Sequence, residues 1–132
     1  MARVLGVGGL FFKAKDPGAL AAWYRDVLGL EMQDWGGAFI TPEAMAAHPG
    51  AGTVFTPFEA ETTYFEPSTR DFMINLAVDD LDGVLARCAE HGVDATVLPD
   101  EPNGRFAHVL DLEGTKVELW QPKPMPAQPP LD

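Results

Sequence analysis

Apolar residues repeat at helical spacing early in the chain, in the stretch KDPGALAAWYRDVLG. Asp16 stands where a helix N-cap is expected, and Pro17 follows at the first helical position. Gly29 comes directly after the last apolar residue, where a left-handed backbone conformation ends many helices. These signals predict a helix over residues 17–28. Its apolar stripe, at intervals of three and four residues, consists of Leu20, Trp23, Tyr24, Val27 and Leu28.

The same pattern returns about 64 positions later in the chain. Asp79 or Asp80 stands at the N-cap of a second predicted helix, and Gly92 ends it as Gly29 ends the first. The apolar stripe of this helix consists of Leu81, Val84, Leu85 and Cys88.

Short apolar runs predict strands around both helices. In the first half they lie at 4–13, 31–35, 38–41 and 53–58, and in the second half at 72–78, 95–98, 105–110 and 116–121. The order β-α-β-β-β therefore occurs twice. The stretch EAETTYFEPSTR, residues 59–70, links the two halves and is called the connector below.

This repetition predicts an α+β fold in which two tandem β-α-β-β-β modules form a curved mixed sheet with a concave cup. We expect a single domain over 1–132, with module one at about 4–60 and module two at about 70–121. The last residues, 122–132, are rich in proline and are expected to be extended or disordered.

Charge narrows the range of partners. Nine Lys and Arg residues stand against twenty Asp and Glu, which gives a net charge of -11. Nucleic acids and anionic membranes select for basic surfaces, so neither is expected as a partner. The chain has one cysteine, which excludes an internal disulfide, and no apolar run of the roughly 20 residues that a transmembrane helix needs. A cytoplasmic location is the default expectation.

One carboxylate stands out in the last predicted strand, where Glu118 lies between Val117 and Leu119. Because side chains alternate along a strand, Val117 and Leu119 should face the helices and Glu118 the cup. A buried carboxylate requires a partner or a raised pKa, and a raised pKa would suit a general base. His108 lies in the preceding strand, and the turn register decides whether it faces the cup beside Glu118 or the opposite side.

The stretches KDPGALAAWYRDVLGLEM, NLAVDDLDGVLARCAEHGV and DLEGTKVELW, in this order, resemble the vicinal oxygen chelate superfamily. That superfamily contains glyoxalase I, bleomycin-resistance proteins and extradiol dioxygenases. WYRDVLGL and DLEGTKVEL are similar to its two most recognisable motifs. The resemblance covers about residues 4–121 and implies the fold more strongly than the function.

The resemblance also implies four metal-ligand positions, which fall on Gly9, at or near Phe55, on Met73 and on Glu118. Glycine and phenylalanine offer no donor, and a methionine thioether does not suit Mg, Mn, Fe(II) or Ni in an oxygen and nitrogen site. Only Glu118 matches. We therefore expect no metal and no cofactor.

The sequence hypothesis is a metal-independent glyoxalase/bleomycin-resistance-like protein that binds a small organic molecule in the cup, as a homodimer by resemblance. Two alternatives stay open: a metal-dependent lyase or dioxygenase with Glu118 as catalytic residue, and a structural or regulatory partner protein whose cup is filled. Tyr64 and Phe65 of the connector are expected to cover the cup mouth or a subunit interface. The residues expected to bind the ligand are Phe11, Phe55, Met73, Asn75, Arg105, His108, Glu118 and Trp120.

Overall fold

The structure is a computed structural model that describes residues 2–124. Helices and strands follow one another as α1 (Pro17–Leu28), α2 (Pro42–Ala46), β1 (Ile74–Ala77), α3 (Leu81–Glu90), β2 (Thr96–Val97), β3 (Gly104–Leu110) and β4 (Lys116–Pro122). None of the helices in this part of the chain is long and apolar enough to cross a membrane.

The four strands form one mixed sheet in the order β1-β4-β3-β2. β1 runs parallel to β4, whereas β3 is antiparallel to both β4 and β2. The predicted α+β class with a mixed sheet is confirmed. Because β4 has a hydrogen-bonded neighbour on each side, its side chains lie at the middle of the sheet.

Both main helices begin where the sequence predicts. The Asp16 carboxylate accepts a hydrogen bond from the backbone N–H of Ala19 at 3.0 Å, and the Asp80 carboxylate accepts one from Gly83 at 3.1 Å. Gly29 ends α1 with a φ of 79°, in the left-handed region that favours glycine.

The hydrophobic core lies between the sheet and α1 and α3, which pack on the same face. Val117 and Leu119 of β4 are completely buried there, as the strand period predicts. The remaining buried side chains of this cluster are Leu20, Tyr24, Val27, Leu28, Ile74, Leu81, Cys88, Ala107 and Val109.

The strands predicted for the first module are wrong: within residues 2–124, all strands lie in the second half. A strand requires a paired neighbour, and residues 4–13, 38–41 and 53–58 have none. The stretch 31–35 runs into a turn instead, with the Gln33 N–H donating to the Gly37 carbonyl at 2.7 Å. The tandem arrangement is therefore not confirmed. Residues 42–46 form the short helix α2.

The proline-rich tail was predicted to start at 122, but Pro122 belongs to β4. The backbone N–H of Lys123 also donates to the Asn103 carbonyl at 3.2 Å. The rest of the predicted tail, from residue 125, lies outside the described residues.

The turn between β3 and β4 connects α1 to the sheet through Asp111. The Tyr24 hydroxyl donates to Asp111 Oδ2 at 2.7 Å, and the N–H groups of Glu113 and Thr115 both donate to Oδ1 at 2.9 Å. Both Tyr24 and Asp111 are buried. Burial, followed by the hydrogen bond to Asp111, raises the pKa of the Tyr24 hydroxyl far above its usual value.

The same turn holds the residues that precede α1. Glu113 accepts hydrogen bonds from the backbone N–H groups of Lys15 and Asp16 at 2.8 and 3.0 Å. Arg70 lies 3.6 Å from the Glu113 carboxylate. The backbone hydrogen bonds lower the pKa of Glu113. The turn therefore contacts the chain both before and within α1.

We predict that Tyr24→Phe lowers the free energy of unfolding by about 1.5–3 kcal/mol, because it leaves a buried carboxylate oxygen without its donor. Urea denaturation followed by circular dichroism measures this. Arg25→Gln is the control, because it removes only an exposed ion pair with Asp26 and should leave the midpoint unchanged. Equal midpoints for Tyr24→Phe and the wild type would show that this hydrogen bond does not hold α1 to the sheet.

Candidate functional site

The sheet has a second face, opposite to the helices, which is called the open face below. In the observed register Glu118 of β4 pairs with Asn75 of β1 on one side and with His108 of β3 on the other. Residues that pair directly across a sheet point to the same face. The three side chains therefore meet on the open face, which answers the question of where His108 points.

Glu118 is 7% exposed and both of its carboxylate oxygens accept hydrogen bonds. The Asn75 side-chain amide donates to Oε1 at 2.8 Å. His108 Nε2 lies 2.7 Å from Oε2, and the Tyr64 hydroxyl donates to the same oxygen at 2.5 Å. The expectation that a buried Glu118 needs a partner is confirmed, and the partners are Asn75, His108 and Tyr64.

The pKa of Glu118 is determined by two opposing effects. Burial raises it, but the hydrogen bonds from Tyr64, His108 and Asn75 together outweigh burial and hold the pKa below its usual value. The carboxylate is therefore ionised at neutral pH. The idea that a raised pKa makes Glu118 a general base is wrong, because a carboxylate with these donors is a weak base and a strong hydrogen-bond acceptor.

Tyr64 comes from the connector, and its aromatic ring has three neighbours. The Phe58 ring stacks on it with centroids 5.8 Å apart and 22° between the planes. His108 meets it edge-on at 5.4 Å, and the Lys116 ammonium lies 5.0 Å from its centroid. The hydroxyl of Tyr64 thus reaches Glu118 while the ring packs against two aromatic rings and a cation.

Lys116 holds the backbone of the connector on the open face. Its ammonium donates to the carbonyl oxygens of Tyr64 and Glu66, at 2.5 and 3.1 Å. The Lys116 side chain is buried and does not bond Glu118 directly. Tyr64 of the connector therefore contacts this side of the sheet, and that Tyr64 and Phe65 cover a cup mouth or a subunit interface stays a prediction.

Trp120 also lies on the open face, two residues beyond Glu118, as predicted. Its ring lies parallel to that of Phe106, at 7° and 6.2 Å between centroids, and its indole N–H donates to the Asn103 carbonyl at 3.0 Å. Phe106 was missed by the sequence analysis. It is two residues before His108, so the strand period would have placed it beside Trp120 once His108 was known to face this side.

Other predicted site residues lie elsewhere. Arg105 faces the helices, where its guanidinium donates to Asp82 of α3 at 2.9 Å, so it lies away from Glu118 and its contact with a ligand stays a prediction. Phe11 and Phe55 are 92% and 87% exposed, and neither forms part of a packed wall. Met73 is half-buried and directly precedes β1. That Phe11, Phe55 and Met73 contact a ligand stays a prediction.

The space between the sheet and the segments of the first half is not an enclosed pocket. Its volume is about 3030 Å³ and it opens to solvent. Ordinary ligand sites measure roughly 300–1,000 Å³. The site is therefore defined by Glu118 and its neighbours and not by a closed cavity.

The metal-binding positions implied by the resemblance do not fit a metal ion. Gly9, Phe55 and Met73 offer no hard donor, and both oxygens of Glu118 already accept hydrogen bonds within the chain. Within residues 2–124, no three His, Cys, Asp or Glu side chains lie close enough together to hold an ion.

Comparison with models of known protein families identifies the family to which this domain belongs. Residues 9–120 match the family model of the glyoxalase-like domain, and the chain belongs to this family. None of the curated proteins matches this chain. A putative glyoxalase family protein from Bacillus anthracis shares the fold, with a TM-score of 0.50 and 18% identity over 84% of this chain and 88% of that one.

Similarity in sequence is higher to two other solved proteins, but over shorter segments. TnmS3, an antibiotic binding protein from Streptomyces sp. CB03234, is 36% identical over 38% of this chain, with a TM-score of 0.36. A glyoxalase/bleomycin resistance protein from the same organism is 35% identical over 36% of this chain, with a TM-score of 0.34. The matches span only 41% and 42% of those two proteins.

We predict that Glu118 makes stability sensitive to acid. Because its folded-state pKa is below the unfolded value of about 4.3, its contribution is present above that pH and is lost as the pH falls through the folded-state pKa. The difference in unfolding free energy between the wild type and Glu118→Gln should therefore be constant near neutral pH and shrink on acidification below about pH 4.3.

Urea midpoints measured between neutral and acid pH test this. Tyr64→Phe is the matched variant: it removes one donor to Glu118 and so raises the folded-state pKa, which should make the loss smaller and complete at a higher pH. A difference between the wild type and Glu118→Gln that does not change with pH would rule out the lowered pKa.

Proposed function

We propose that this protein binds a small organic molecule on the open face of its sheet, without a metal ion. The observation that carries the proposal is the buried Glu118 carboxylate, placed at the middle of the sheet beside aromatic side chains. An ionised acceptor surrounded by apolar surface is typical of sites that orient a ligand through one or two polar contacts.

The chemistry of the open face indicates what such a ligand offers. Glu118 accepts hydrogen bonds, so the ligand presents an O–H or N–H donor. The half-buried Phe106 ring, which lies parallel to the buried Trp120 ring, provides apolar surface beyond it, which suits a ring. Metal independence is supported by the donors present, because the metal-ligand positions of the superfamily carry Gly9, Phe55 and Met73 in this chain.

A structural role for Glu118 is the second candidate. It is favoured by the fact that the partners found for Glu118 all belong to the chain itself, namely Asn75, His108 and Tyr64. In that case the carboxylate holds the connector on the sheet and no ligand is required. The two candidates differ in whether the charge of Glu118 affects binding or only folding.

We predict that Glu118→Gln weakens the binding of hydroxylated or N–H-bearing aromatic compounds by about 1.5–3 kcal/mol, because a charge-assisted hydrogen bond is lost. A thermal-shift screen of such compounds, followed by titration calorimetry of the hits, measures this. Asp82→Asn is the control, since it removes a carboxylate from the helix side of the sheet and should leave affinity unchanged.

A large loss of stability in Glu118→Gln together with unchanged affinity for the hits would favour the structural role. Compounds that bind equally well to the wild type and to Glu118→Gln would place their site away from this carboxylate and contradict the proposal.

We further predict that metal removal has no effect on ligand binding. Purified protein treated with a chelator and desalted should bind the same hits with the same affinity, because no contact with the ligand runs through an ion. Calorimetry and elemental analysis measure the two quantities. Stoichiometric Fe, Mn, Ni or Zn that disappears in Glu118→Gln would instead support the metal-dependent lyase or dioxygenase.

A further inference from the structure

The Tyr64 side chain meets Glu118 in the way that an aromatic ligand would. Its phenol hydroxyl donates to Glu118 Oε2 at 2.5 Å, which is the contact that the proposed function assigns to a ligand donor. Its ring lies between Phe58, His108 and the Lys116 ammonium. Together these side chains form a site for one phenol ring, and a part of the chain itself fills it.

Tyr64 differs from the other partners of Glu118 because it does not belong to the sheet. Asn75 and His108 are fixed by strand pairing on either side of β4. Tyr64 lies in the connector and is 39% exposed, although its hydroxyl is bound. Its removal would leave Glu118 with two of its partners in place.

The connector is held on the sheet by few contacts near Tyr64. Between residues 59 and 67, the hydrogen bonds that the structure describes to the sheet are those of the Tyr64 hydroxyl and of the Lys116 ammonium. The other hydrogen bonds of this stretch are local turns, such as that from the Glu66 N–H to the Thr63 carbonyl at 3.1 Å. The ring can therefore leave without breaking strand pairing.

We propose that Tyr64 is a built-in competitor for the ligand, and that the ligands of this site are phenols which displace it from Glu118. This rests on the proposed function and adds the ligand class and a form of regulation. The exchange replaces one phenol O–H donor by another, so the carboxylate keeps its hydrogen bonds. A ring without a donor would leave Glu118 short of one bond and should be rejected.

Competition from within the chain has a further consequence. A side chain tethered beside its site acts at an effective concentration that is roughly millimolar or higher, so a simple phenol competes poorly. A natural ligand needs additional contact area, and the half-buried Phe106 ring offers it on the same face. The class that fits is a phenol fused or linked to further aromatic rings.

The chain offers a direct test because it contains two tyrosines, Tyr24 and Tyr64. Protein labelled with ¹³C-tyrosine should show two sets of ring signals, which Tyr64→Phe assigns. Titration of the wild type with p-cresol should shift the Tyr64 signals and leave those of Tyr24, which is buried against Asp111, unchanged. 4-Methylanisole, with the same ring but no donor, should have a much weaker effect.

The second experiment measures p-cresol binding by a variant that lacks the Tyr64 ring. Tyr64→Ala should bind p-cresol about tenfold more tightly than the wild type or better, because the competitor is gone. Phe65→Ala is the matched control. It removes the neighbouring ring of the connector, which contacts Phe58 but forms no hydrogen bond to Glu118. This variant should bind p-cresol as the wild type does. In Tyr64→Ala combined with Glu118→Gln, the preference for p-cresol over 4-methylanisole should disappear.

Two results of the wild-type titration would overturn the proposal. In the first, the Tyr64 signals do not move at tens of millimolar p-cresol or at saturation. In the second, they respond equally to 4-methylanisole. A folded Tyr64→Ala that binds p-cresol no better than the wild type would also overturn it. If that variant does not fold by circular dichroism, the titration of the wild type decides. Hits that depend on Glu118 while Tyr64 stays in place would overturn this inference alone and leave the proposed function standing.

Discussion

The alternation of side chains along β4 is the constraint on which the rest of the structure depends. Val117 and Leu119 are completely buried beneath α1 and α3, so the residue between them must point to the open face. Pairing on both sides of β4 then brings Asn75 and His108 beside Glu118. A shift of the strand by one residue would bury the carboxylate in the apolar core and expose both aliphatic side chains, so the core excludes that shift.

Each of the two tyrosines attaches a segment outside the sheet to a buried carboxylate, one in the turn between β3 and β4 and one in β4 itself. Tyr24 joins α1 to Asp111 on the helix side, and Tyr64 joins the connector to Glu118 on the open face. The first pair lies within the core and is structural. The second lies on the open face, with the Tyr64 side chain part-exposed, and it is this hydrogen bond that we propose a ligand exchanges. The two pairs differ in the exposure of the tyrosine side chain, which is buried in Tyr24 and part-exposed in Tyr64.

Membership of the glyoxalase-like domain family establishes the fold, and the reaction depends on the donors that a member carries. This chain keeps the glutamate of the last strand, but its other metal-ligand positions carry residues without hard donors. Glu118 is instead bonded to an amide, an imidazole and a phenol. The position that the resemblance implies as a metal ligand is a hydrogen-bond acceptor in this structure, which supports binding as the proposed function.

The sequence by itself determined what depends on local pattern: both main helices, the Asp16 cap, the strands of the second half, and the direction in which Glu118 points. The second cap was open between Asp79 and Asp80 until the structure showed Asp80. Only the tertiary structure decided what depends on pairing between distant segments. The apolar runs of the first half resemble strands, yet they have no paired neighbour in the described chain. The facing of His108 followed from the register of β3 on β4, and the approach of Tyr64 to Glu118 from the path of the connector. Periodicity carries no information about either of these, because it describes one segment at a time.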